Sequence, residues 1–185
     1  MTDLISTLHR AARRIFKTNL LPHHWHNMPI GEIPLLSIDL ELTGLERDAD
    51  IVSFGWVLCE HQQILLNTAC HAVVKTSADL QQSPIIHGIT NKDIVQGEGL
   101  EAVMDRLMPL TETHIWVFHN ATLDTNALKR ACHLLGKEYP EIFYFDTMRM
   151  ARYLLAKKQH PIGPKALSLQ NCRKRYNLGE INAHN

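Results

Sequence analysis

Neither sign of charge is in surplus: 19 lysines and arginines balance 19 aspartates and glutamates in a chain of 185 residues. A strongly basic chain would have argued for a nucleic-acid coat or non-specific binder, and the balance excludes that class. It is compatible with an acidic centre that touches only a short stretch of substrate. The 12 histidines add positive charge only as the pH falls toward about 6. Cysteine is sparse, and Cys59, Cys70, Cys132 and Cys172 form neither a CxxC pair nor a dense disulfide framework. They read as reduced thiols of a cytoplasmic protein. No apolar run is long enough to span a bilayer, so no membrane partner is expected. Arg13, Arg14 and Lys17 near the start are not followed by the apolar stretch and small-residue site of a signal peptide. Internal repeats and low-complexity tracts are also absent. What is present is ordinary for one globular domain with a short extension: 45% hydrophobic and 21% charged residues.

Residues 4–16 read as an amphipathic helix, with Leu4, Ile5, Leu8, Ala12, Ile15 and Phe16 at roughly helical spacing. The following segment, with Pro22, Pro29, Gly31 and Pro34, reads as a linker or strap. Its His23, His24 and His26 have no second ligand pair at zinc-finger spacing. They are expected to be polar linker residues beside a packed Trp25. This gives an N-terminal helix and linker over residues 1–32 and a compact domain over 33–185. Within that domain, strands are expected at 34–39, 50–60, 63–75, 114–118 and 142–145. Helices are expected at 99–110, 123–135, 146–155 and 166–176. Three hairpin-like strands followed by alternating helices and strands indicate an α/β fold with a mixed sheet.

Three clusters carry chemistry. Asp39 and Glu41 are two apart on a strand and emerge on one face. Two adjacent carboxylates repel unless a cation lies between them, and such hard oxygen donors favour Mg²⁺ or Mn²⁺. A solvated strand end running into Thr43-Gly44 is the plain alternative. Asp124, in the first turn of a predicted helix, reads in isolation as a favourable charge at the helix N-terminus. His184 could serve as a general base, although a lone terminal histidine is more often a surface residue. The Arg173-Lys174-Arg175 run reads as a solvated helix end, with a phosphate contact as the alternative.

Six short stretches carry a resemblance: IDLELTG (38–44), DIVSFG (50–55), SPIIHGIT (83–90), VFHNATLD (117–124), FDTMRMAR (145–152) and LSLQNCRKRYNL (167–178), ending at AHN (183–185). Together they resemble the His-type branch of the DEDD 3′→5′ exonuclease superfamily. They are most similar to the proofreading domains of the bacterial DNA polymerase III epsilon type. The resemblance covers the chain from about Leu35 onward and implies a ribonuclease H-like fold, a mixed five-stranded sheet flanked by helices. It implies two Mg²⁺ or Mn²⁺ ions held by Asp39, Glu41 and Asp124, with His184 as the base. It places Leu42, Thr43, Ile86, His87 and Asn120 beside the 3′ end of the substrate, with His119 behind them. The implied substrate is a single-stranded or frayed 3′ end of DNA, with RNA as the alternative, and a polymerase or other protein is the implied partner. Asp146 is expected to cap a helix rather than hold a metal.

The sequence departs from the family pattern at Leu40, which replaces a threonine, and at Leu123, which replaces a phenylalanine. The family's fourth carboxylate, one to two turns beyond the histidine, has no counterpart up to Asn185. A longer natural chain supplying that acid on a last helix is therefore expected. The rival reading is a catalytically inactive nuclease-like module that binds nucleic acid or a polymerase.

Overall fold

The computed structural model describes residues 25, 27–44, 46, 48–76 and 88–179. The helix expected over 4–16 and residues His23, His24, His26, Ile86, His87 and His184 lie outside the described residues.

The strand Leu35–Leu42 (β1) alternates strictly: Leu36, Ile38 and Leu40 are buried while Ser37 and Asp39 are exposed. That period of two is what a half-buried strand requires. β1 pairs antiparallel with Ile51–Glu60 (β2), with Asp39 opposite Gly55 and Glu41 opposite Ser53. A register shift after Glu41 sets Leu42 opposite Ile51. β2 returns as Gln63–Val73 (β3) through His61 and Gln62, both at positive φ, the geometry of a two-residue hairpin turn.

The chain then forms two short helices, Asn91–Gln96 (α1) and Leu100–Leu107 (α2). The first was not expected from periodicity, being too short to show any. Its signal is local: Thr90 and Asp93 form a reciprocal capping box. The helix expected over 99–110 is divided, with a 3₁₀ turn, Met108–Thr111, replacing its last part around Pro109. Between α1 and α2, Glu98 bridges the end of β3 through Val73 and Lys75. Gly97 permits this approach, because a Cβ there would lie 2.7 Å from the Val73 carbonyl oxygen.

Ile115–Phe118 (β4) leads into Ala121–Leu134 (α3), and Tyr144–Asp146 (β5) leads into Thr147–Lys157 (α4). The last described helix, Leu169–Arg175 (α5), starts later than expected because the Ser168 hydroxyl accepts the Asn171 N–H and caps it. The sheet order is β3-β2-β1-β4-β5, with β4 parallel to β1 and β5 parallel to β4. The expected mixed five-stranded sheet is therefore present.

Opposite strand faces feed different cores. Leu36, Ile38, Leu40, Trp116 and Phe118 pack with Val103, Met104, Leu107 and Leu128 from the helices. Leu35, Ile115, Val117 and Phe145 join Trp25 and Ile33 in a second cluster, where Trp25 meets Phe143 edge-on. Trp25 is thus packed on the domain as expected. No helix among the described residues is long and apolar enough to cross a membrane.

Candidate active site

Because β1, β4 and β5 run parallel, their carboxyl ends lie side by side at one edge of the sheet. In α/β sheets that edge is where strand-to-helix connections leave room for ligands. Asp39 and Glu41 sit at the end of β1, His119 and Asn120 follow β4, and Asp146 ends β5.

The β1–β4 ladder ends at Ser37 opposite Val117. Beyond it, the Leu40 N–H donates to the Asp124 carboxylate, keying the first turn of α3 onto the strand between the two acids. Burial pushes the Asp124 carboxyl up to about 7. The negative charge of Asp39 is the next cause, and Asp146 adds to it. The backbone N–H groups of Asp124 and Leu40 oppose the shift. Asp39 and Asp124, distant in sequence, are therefore near enough to act on one another. Leu40 is 7% exposed and turned into the core, so its replacement of threonine leaves the acidic face intact.

Such a pair fits a hard divalent cation, whose charge would relieve both the burial and the repulsion. Asp39 and Asp124 would hold it, and Glu41 shares the strand face of Asp39. No group of three or more histidine, cysteine or acidic side chains among the described residues is placed to hold a metal ion. The expected trio of Asp39, Glu41 and Asp124 is thus brought together only in part.

Asp146 is a cap, as expected, and a double one. Its buried carboxylate accepts N–H groups from Met148 at 2.9 Å and Arg149 at 3.1 Å, at the start of α4. It also accepts those of Asn120 and Ala121, each at 3.2 Å, at the start of α3. One side chain therefore locks both helix N-termini to the sheet. Asn120 enters α3 with φ 72° and gives no side-chain cap. Its left-handed backbone, which asparagine tolerates well, turns its N–H toward Asp146.

His119 braces the same edge: Nδ1 lies 2.9 Å from the Thr147 hydroxyl and Nε2 lies 2.9 Å from the Leu167 carbonyl. A carbonyl only accepts, so Nε2 carries a proton. Thr147 also reaches the Phe118 carbonyl at 3.0 Å. The ring thereby ties the segment before α5 to the ends of β4 and β5. Thr43 closes the loop after β1: its hydroxyl accepts the Asp50 N–H, and its own N–H donates to the Asp50 carbonyl, both at 3.0 Å. Arg130 on α3 holds the Asp50 carboxylate at 2.8 Å. Sequence reasoning did not find this link, and two charges so far apart in the chain offer no local signal for it. The second pair of N–H groups on Asp146 was equally invisible, since only its own helix start can be read from neighbouring residues.

A sequence profile for the RNase T type of exonuclease matches residues 36–185. The chain is 27% identical over 157 residues to the PolC-type DNA polymerase III of Thermotoga maritima, covering 83% of this chain and 11% of that protein. It is 26% identical over 117 residues to the 3′-5′ exonuclease DinG of Staphylococcus epidermidis, covering 61% of this chain and 12% of that protein. The chain thus spans about a tenth of the length of these relatives. Among solved structures, Escherichia coli exonuclease I in complex with a dT13 oligonucleotide superposes with a TM-score of 0.70 at 16% identity. That match covers 83% of this chain and 38% of the other, and it establishes the shared ribonuclease H-like fold.

Proposed function

Since the chain belongs to the RNase T exonuclease family within the DEDD superfamily, we propose that it hydrolyses the terminal phosphodiester of a DNA strand from the 3′ end. The observation that carries this reading is the meeting of Asp39 and Asp124 at the carboxyl ends of the parallel strands. The DinG relative, named a 3′-5′ exonuclease, and the exonuclease I neighbour, seen with a single-stranded oligonucleotide, support the direction and the substrate. The PolC relatives support a polymerase as partner. Residues 33–185 form the nuclease domain in this reading.

The cofactor is a pair of Mg²⁺ or Mn²⁺ ions, which when bound would lower the pKa of a water and neutralise charge on the phosphate and the leaving oxygen. Asp39, Glu41 and Asp124 are the residues that would hold the metals. His184 takes the proton of the attacking water, a contribution of roughly 10²–10⁴-fold for a general base. Water adds to phosphorus, the bond to the 3′-oxygen breaks, and the departing oxygen takes up a proton from solvent. The products are a nucleoside 5′-monophosphate and a strand with a new 3′-hydroxyl. Leu42, Thr43, Ile86, His87 and Asn120 position the terminal nucleotide, and the Thr43–Asp50–Arg130 chain fixes the loop that carries Thr43.

The test is a gel assay on a 5′-labelled single-stranded DNA oligonucleotide with Mg²⁺ or Mn²⁺, run beside the matched RNA. A ladder shortening from the 3′ end, absent in Asp39→Ala, is the expected result. Intact substrate under both metals, with nucleic-acid binding retained, would overturn catalysis and leave the binding-module reading. Faster loss of the RNA would reassign the substrate.

A further inference from the structure

We propose that the flank formed by α4 and α5 binds the single-stranded segment of the substrate that lies 5′ to the terminal nucleotide. The placement rests on the reading of Asp39 and Asp124 as the seat of the 3′ end. The chain is neutral as a whole, but its charge is segregated. Residues 147–179 contain eight lysines and arginines and no aspartate or glutamate, whereas the rest of the chain has 11 basic and 19 acidic residues. This stretch makes up α4, α5 and the segment between them, packed together through Ala151, Leu155, Leu167 and Cys172. Arg149 and Arg152 are exposed neighbours one turn apart on α4, and Lys165 is exposed ahead of α5. Arg173 and Arg175 donate through Nη2 to the carbonyls of Leu178 at 2.8 Å and Ala166 at 3.0 Å. A carbonyl fixes a guanidinium in place and leaves its net charge. Among the described residues no carboxylate pairs with Arg152, Lys165, Arg173 or Arg175, and Arg149 meets only Asp146, at 3.7 Å.

His119 sets this flank beside the acidic edge. One ring nitrogen meets Thr147 at the start of α4, and the other meets the Leu167 carbonyl just before α5. Arg149 follows Thr147 by two residues, Lys165 precedes Leu167 by two, and Arg175 is bonded to Ala166. Cations from both helices are thus tied to the edge that carries Asp39, Glu41 and Asp124. Those carboxylates repel a polyanion, so a strand whose end reaches them gains from positive charge next to them. Tyr176 directly follows Arg175 and is 37% exposed. A solvent-open aromatic ring among cations is the composition of a single-strand site, where phosphates meet the cations and a base stacks on the ring. A duplex hides its base faces from such a ring. An acidic protein segment would meet the cations but would gain nothing from lying against an edge of carboxylates.

The experiment is fluorescence anisotropy of a 5′-labelled dodecathymidylate with the full chain, in EDTA so that nothing is cleaved, over a salt series. The logarithm of affinity should fall against the logarithm of salt with a slope of about 2, the counterions released by roughly three phosphate contacts to a single strand. Arg152→Gln and Lys165→Gln alter exposed side chains that the fold does not need. Each should weaken binding severalfold and reduce the slope by roughly 0.7. Tyr176→Leu should weaken binding by about tenfold at an unchanged slope, the loss of one stacked base. Unchanged slopes in both charge variants, unchanged affinity in Tyr176→Leu, or tighter binding of a duplex of the same length would each overturn the proposal. So would full displacement of the strand by polyglutamate at equal charge, which would assign the flank to an acidic protein. The gel assay tests the nuclease reading separately. A missing ladder with these binding results intact would sink catalysis and leave the flank, and a ladder with flat salt slopes would do the reverse.

Discussion

The starts of α3 and α4 each place an aspartate where a parallel strand gives way to a helix, and the two acids have opposite surroundings. Asp146 is filled: its carboxylate accepts four backbone N–H groups drawn from both helix starts. Asp124 is crowded: it is desolvated and repelled by Asp39, with only the N–H groups of Asp124 and Leu40 in compensation, and its carboxyl is pushed up to about 7. A buried carboxylate whose hydrogen bonds are met holds a fold together. One that is buried and within electrostatic reach of another carboxylate is held at a cost, which a bound cation would turn into affinity.

The largest expected effect falls on the crowded acid. Asp124→Asn should lower exonuclease turnover by on the order of 10³-fold, comparable to losing a major electrostatic contact to the transition state. Single-turnover rates at saturating Mn²⁺ measure it, and a loss below tenfold would erase the functional distinction between the two acids. Asp146→Ala should instead act on the fold. Freeing four N–H groups is expected to cost about 3 kcal/mol in urea unfolding. A cost near zero would show that Asp146 is no strut.

A smaller effect sharpens the contrast through pH. The Asp124 carboxyl sits near 7 in the folded chain, above its ordinary value of 3.8, so the folded state keeps this proton longer than the unfolded one. The group adds no penalty below about pH 4, destabilises progressively as the pH rises, and exerts its full penalty above about pH 7. Without divalent metal, Asp124→Asn should therefore melt higher than the parent protein at pH 8 and equally at pH 4. Adding Mg²⁺ should raise the parent's melting temperature at pH 8 and shrink that gap. A gap that is flat with pH would refute the electrostatic origin. The smallest effect belongs to Asn120. Asn120→Gly suits the φ of 72° and should change stability by less than about 1 kcal/mol. A raised KM for the oligonucleotide would then isolate a contact made by the side chain.

Much of the fold could be read from local pattern. The alternation in β1, the apolar β4 and the strand–helix succession after it gave the mixed sheet. The elements that escaped were short or interrupted: α1, too brief for periodicity, and the 3₁₀ turn at Pro109. The candidate site was legible as separate acids in separate strings, and Asp39 with Glu41 could be placed on one face because strand geometry is local. The Thr43–Asp50–Arg130 chain and the His119 brace could not, because each joins residues whose only relation is the folded sheet.

The sequence by itself determined which side of β1 is apolar, where strands pass into helices, and that an aspartate stands at each of two such passages. Only the tertiary structure decided that one of them caps two helices while the other faces Asp39. The reason is that a carboxylate's role depends on the dielectric and the charges within a few ångströms, and those neighbours come from distant parts of the chain.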